Sequence, residues 1–227
     1  MSETGNASQR PREGVVRITR EDWLNVSLDA LISSGVDQVK ILTLAAKLGV
    51  SRSSFYWFFE SREQLLDVLL DNWKRKNTRG IVEHCAIESA SITEAILNVA
   101  DCWLDDALFD PRLDFAIRAW ARTDDRVRKI VDQADETRVE ALRQLFMRHG
   151  YEPVEGFIRA RVFYFTQIGY YALDLQEPIA SRTAYLAAYV KTATGVEPKA
   201  DLIESYLKRF YDGKRVTTGV TKADAVD

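Results

Sequence analysis

The stretch GVSRSSFYWFF, residues 49–59, gathers side chains that can hold an anion or read a polar edge. Arg52 offers a forked donor that matches the paired acceptors of a guanine edge. Ser53 and Ser54 can reach a base or a phosphate, and the hydroxyl of Tyr56 is of the kind that anchors phosphate. Trp57 completes the set. The remaining chemistry-bearing residues are sparse. His84 and Cys85 are neighbours in sequence, a spacing that turns their side chains apart on a helix and prevents a catalytic pair. Asp101, Asp105 and Asp106 suit the solvated face of a helix better than a metal site. No spacing of Cys and His resembles a zinc site and no glycine-rich phosphate loop is present, so the reading is of a protein that is not an enzyme and needs no cofactor.

Composition sets the frame for these residues. The chain has 227 residues, 46% hydrophobic and 29% charged, enough for one or two small domains with a real core. No run of about 18 apolar residues predicts a membrane span. The first residues, MSETGNASQRPREG, lack the apolar centre of a secretory signal. Cys85 and Cys102 are then expected to be reduced, partly buried thiols, and the expected location is cytoplasmic. The net charge of −3 argues against indiscriminate coating of nucleic acid. It is unevenly spread: residues 1–80 hold 12 basic and 10 acidic side chains, and residues 81–227 hold 19 and 24, so a mildly basic head precedes an acidic body.

The elements that must position Arg52 to Trp57 are helical; strand signals are nearly absent. Residues 1–18 read as a flexible arm carrying Arg10, Arg12 and Arg17. Thr19 with Asp22 approximates a capping box, and Leu24, Leu28, Leu31 and Ile32 form one apolar stripe up to Gly35. A short helix from about Ile41 to Leu48 ends at Gly49. Ser51 caps the next, and Ser61 with Gln64 the fourth, whose stripe is Leu65, Leu69 and Trp73. As a helix, 52–59 puts Phe55, Phe58 and Phe59 on one face and Arg52, Ser53, Tyr56 and Trp57 on the other, with Ser54 on its flank. A strand would mix the two sets. A helix, a glycine turn and a short helix make a helix-turn-helix. Geometry alone leaves two readings open: a DNA-reading element, or a helical hairpin with an aromatic pair on its surface.

The residues go further than the geometry. LAAKLGVSRSSFYWFFESREQLL resembles the DNA-binding head of the TetR family of bacterial transcriptional regulators, through Ala45, Gly49, Val50, Ser51, Tyr56, Phe59 and SREQLL. The resemblance covers about residues 19–73 and implies an all-α fold: a three-helix helix-turn-helix head followed by a helical domain for ligand binding and dimerisation. It further implies that Arg52, Ser53, Ser54 and Trp57 face base edges or adjacent backbone. Tyr56 and Lys40 would each hold a phosphate, and Arg62, where the family usually has Lys, would meet another. Two departures bear on base preference. Phe58 replaces a frequent His or Tyr, and Leu42 stands where many members carry a polar, DNA-facing residue.

From this follow the expected boundaries: arm 1–18, head 19–73, ligand and dimerisation domain 74–212, and a disordered tail 213–227. The body predicts a helix capped by Ser91 and Glu94, one opened by Asp110-Pro111, a long one from about Asp124 to His149, an almost uniformly apolar one from Pro153, and two more over 181–194 and 198–211. Arg138 falls on the apolar stripe of the long helix and needs a carboxylate, either a structural partner such as Asp114 or the acid group of a ligand. The large aromatic load of the body, interspersed with a few polar groups, is the mixture of an organic-ligand site. Trp103, Phe115, Arg118, Trp120, Tyr164, Gln167 and Ile168 are the expected lining. The expected partners are double-stranded DNA carrying an inverted repeat, a small-molecule inducer and a second copy of the chain. The expected function is repression released by the inducer; the alternative is a ligand-independent architectural DNA-binding dimer.

Overall fold

The computed structural model describes residues 18–105, 107–175 and 177–219. The expected arm, apart from Ile18, together with Asp106 and the last part of the tail, lies outside them. The described residues are all-α, with no strand among them.

Thr19 and Asp22 close a full capping box on α1, Arg20–Ser34, which ends at Gly35 with a positive φ of 80°. A 3₁₀ turn, Val36–Gln38, leads to α2, Ile41–Leu48. Gly49 adopts the left-handed conformation (φ 66°) that releases the chain from α2. The amide of Val50 donates back to Ala45 O, and that of Gly49 to Ala46 O. These two bonds are the Schellman closure, which needs a residue tolerant of positive φ.

The recognition stretch is tighter than expected: Arg52–Trp57 is a 3₁₀ helix rather than two α turns. Its inward side chain Phe55 is fully buried, edge-on to Trp23 at 5.2 Å and stacked on Phe59 at 5.3 Å. Ser61 caps α3, Arg62–Trp73, through the amide of Gln64. This helix does not stop at its basic end. A π turn, Lys74–Thr78, carries it into α4, Arg79–Ala86.

The body comprises α5, Ile92–Leu104; α6, Pro111–Trp120; α7, Asp125–Arg148; and α8, Pro153–Ala172. After these come α9, Ile179–Ala184; α10, Leu186–Thr194; and α11, Ala200–Gly219. The single helix expected over 181–194 is therefore two, and the last helix runs past residue 212 into the expected tail. Gly156, Ala160 and Tyr164 face inward from α8, and a Cβ on Gly156 would stand 3.4 Å from Phe146 Cβ, so small residues let α7 and α8 approach closely. The opposite side of α8 is not covered: Val154, Ile158, Val162 and Phe165 are exposed.

Two apolar clusters result. One joins Trp23, Leu44, Phe55, Leu69 and Trp73 to Ile117, Trp120, Val127 and Val131, so the core of the head continues across residue 73 into α6 and the start of α7. The other joins Ile81, Trp103, Phe109, Phe146 and Tyr164. Cys85 and Cys102 lie within it, and burial pushes both thiols up to about 12, where they stay protonated.

Candidate nucleic-acid interface

Four of the expected contact residues share the outward side of the 3₁₀ helix. Arg52 and Ser53 are exposed, Tyr56 is half-exposed and Trp57 is 81% exposed. Arg52 Nη2 donates to the Tyr56 hydroxyl at 3.3 Å, one turn away, and Ser53 Oγ lies 2.8 Å from Ser51 Oγ. The guanidinium and the phenol therefore present one polar edge. Lys40 is exposed at the N-cap of α2.

Two expected contacts are corrected. Ser54 is buried, and its Oγ donates to Ser51 O at 2.7 Å, beside the Ser54 amide that donates to the same carbonyl at 3.1 Å; the side chain is spent on the first turn of the 3₁₀ helix. Arg62 is half-buried and spent on the fold: Nε donates to Val39 O at 2.6 Å and Nη2 to Val36 O at 2.8 Å. It pins the turn between α1 and α2 to the start of α3 instead of reaching out for phosphate.

The expected ligand lining is also redistributed. Phe115 is 53% exposed. Trp120 belongs to the cluster shared with the head. Trp103 and Ile168 do pack in the body, Trp103 with its ring 4.7 Å from that of Phe163. Arg118 and Tyr164 are part of a buried polar network that the sequence only partly disclosed. Arg138, fully buried, bonds through Nη1 to Asp114 at 3.2 Å and to the Tyr164 hydroxyl at 2.8 Å, and through Nε to Thr78 Oγ1 at 3.0 Å. Arg118 donates to Asp114 at 2.7 Å and with both terminal nitrogens to Asp135 at 2.8 and 2.6 Å. Burial opposes ionisation of Asp114, but the guanidinium groups of Arg138 and Arg118 outweigh it and hold its pKa below the ordinary carboxylate value. Burial pushes the Tyr164 phenol up, so it stays a donor, here to Asp135 at 2.7 Å.

The network reaches the head through the π turn. Trp73 Nε1 donates to Asp114 at 2.8 Å, and the buried Asn77 bridges to Asp110 O and, at 3.4 Å, to Asp114. Sequence reasoning matched Arg138 with Asp114 but missed Asn77, Thr78 and Asp135. The only available signal was Asp135 three residues before an arginine on an apolar stripe. The donors buried without a partner among the described residues include, in the body, Arg138 Nη2, Gln167 Nε2 and Trp103 Nε1, and, in the head, Trp23 Nε1. Two shallow grooves lie elsewhere, on the outer side of α8. One, of about 640 Å³, runs between Ile158 and Ala193. None of the expected lining residues borders either groove.

A short outward-facing recognition element seated on a three-helix head, followed by a helical body, defines a helix-turn-helix protein of the all-α class. Residues 24–69 match the model of the bacterial regulatory proteins of the tetR family. Over 55 residues it is 33% identical to tetracycline repressor protein class D of Escherichia coli, a match spanning 24% of this chain and 25% of that protein. The class H repressor of Photobacterium damsela subsp. piscicida matches to the same extent. The chain thus aligns with a quarter of the length of these relatives. The fold is similar to that of Mycobacterium smegmatis AmtR, with a TM-score of 0.58, 16% identity and coverage of 88% of this chain and 97% of that one. It is also similar to Salmonella enterica GusR, at 0.57, 15%, 83% and 95%.

Proposed function

We propose that the protein is a cytoplasmic, dimeric repressor that binds an inverted-repeat operator through Arg52, Ser53, Tyr56, Trp57 and Lys40, and releases it when a small molecule enters the body. The observation that carries the DNA reading is the sorting of 52–57: Phe55 and Ser54 inward, and a guanidinium, a hydroxyl, a phenol and an indole outward on a buried scaffold. One such element spans too few bases for high specificity, and two related by a two-fold read a palindrome.

The exposed strip Val154, Ile158, Val162 and Phe165 on α8, together with the exposed Tyr185 at the start of α10 and Tyr189 on it, supports self-association, since apolar patches of this kind mark protein contacts. The partnerless donors Arg138 Nη2, Gln167 Nε2 and Trp103 Nε1 support a ligand bearing hydrogen-bond acceptors. Arg138 shares Asp114 with Trp73, so a ligand that re-aims Arg138 acts on the helix leaving the head. A 100-fold loss of operator affinity requires about 2.7 kcal/mol of differential binding between the two forms. The relatives named as tetracycline repressors support repression as the direction of control.

The test is selection of bound sequences from a random duplex library with the full chain, with mass measured by light scattering. An enriched inverted repeat bound by a dimer is expected. A monomer at micromolar concentration, or no enriched sequence, overturns the proposal.

A further inference from the structure

We propose that Leu42 is a specificity-determining residue that reads the 5-methyl group of a thymine in the major groove. The inference rests on the DNA reading above and names the base chemistry that this surface selects. Helix α2 turns Leu44 and Ala45 fully into the core and packs Ile41 and Leu48 against it, which leaves Leu42 71% exposed. Among the described residues of the head, 18–73, the exposed large hydrophobic side chains are Leu42, Tyr56 and Trp57, all within the helix-turn-helix. Tyr56 and Trp57 carry a polar atom for a phosphate or a base. Leu42 carries none, so neither phosphate nor a base's polar edge explains its exposure.

Charge decides what covers it. Residues 38–59 contain Lys40, Lys47 and Arg52 and no Asp or Glu, and all three cations are exposed. The stretch that carries Leu42 is cationic, with the exposed acids Asp37 and Glu60 only at its borders, and such a surface suits a polyanion better than the mixed surface of a protein partner. The apolar group that duplex DNA displays in the groove wide enough for this element is the thymine methyl. A polar side chain at position 42 would seek a hydrogen bond from a base; leucine selects the methyl and disfavours the exposed amino group of a cytosine.

The operator selected from the random library by the full chain is resynthesised with each thymine in turn replaced by deoxyuridine, which removes the methyl and preserves pairing. One thymine per half-site is expected to stand out, its replacement weakening wild-type binding about 3- to 10-fold, the scale of one methyl group removed from water. Leu42→Ala should lose a similar factor on the thymine operator and be indifferent to deoxyuridine at that position, and Leu42→Met should keep the discrimination. Equal deoxyuridine penalties in wild type and Leu42→Ala overturn the role of Leu42 and leave the DNA reading intact. Failure to enrich any sequence would sink both.

Discussion

The indole Nε1 of Trp73, at the end of α3, donates 2.8 Å to the buried carboxylate of Asp114 on α6. The same carboxylate binds Arg138 and Arg118, so one side chain joins the exit of the head to α7 and, through Tyr164, to α8. The π turn Lys74–Thr78 begins at the next residue and contributes Asn77 and Thr78 to the same network. Such turns interrupt regular helix pairing and cluster at functional positions.

Removing the charge of Asp114 strands Arg138. Asp114→Asn is expected to destabilise the protein by about 3–5 kcal/mol, the cost of breaking a buried ion pair from one side. Trp73→Phe keeps most of the packing and loses only the donor, so its cost should be about 1.5–3 kcal/mol. Urea denaturation measures both. A loss under 1 kcal/mol for Asp114→Asn would mean that water replaces the network.

Acid should act through the same carboxylate. The folded pKa of Asp114 lies below its ordinary value of 3.8, so its stabilising contribution is fully present above that value and is lost as pH falls through the lower, folded one. Stability measured at pH 6, 4 and 3 is therefore expected to fall more steeply in wild type than in Asp114→Asn. Parallel pH profiles would remove Asp114 from the account of acid sensitivity.

Arg62 separates a structural role from a phosphate contact. Its bonds to Val36 O and Val39 O predict that Arg62→Ala loosens the turn that carries Lys40, lowering both thermal stability and operator affinity. The slope of log affinity against log salt should stay that of wild type. A slope reduced by about one unit would mean that Arg62 neutralises a phosphate after all.

How much of this was legible in the sequence follows from the range of the interactions. Caps and glycine stops are local, so α1, α2 and α7 fall where Thr19, Gly49 and Asp124 placed them. The inward and outward sorting of Phe55 and Trp57 was likewise readable from periodicity. Ser54 was not, because a 3₁₀ turn rotates it inward where an α turn leaves it on the flank. Arg62 was misplaced because its partners are backbone carbonyls more than twenty residues away, and carbonyls leave no mark in a sequence. Phe115 and Trp120 show the same limit: helix phase says which side a residue faces, not which neighbour stands there.

The most direct test of the central claim compares wild type with Arg52→Ala on the selected operator and on random duplex DNA of equal length. Arg52 is exposed, so the substitution leaves the fold intact. The account predicts a loss of about 1–3 kcal/mol on the operator, relaxed preference at one base pair per half-site, and a much smaller change on random DNA. Equal losses on both DNAs would contradict it, because Arg52 would then be holding phosphate and the outward edge of the 3₁₀ helix would not be reading sequence.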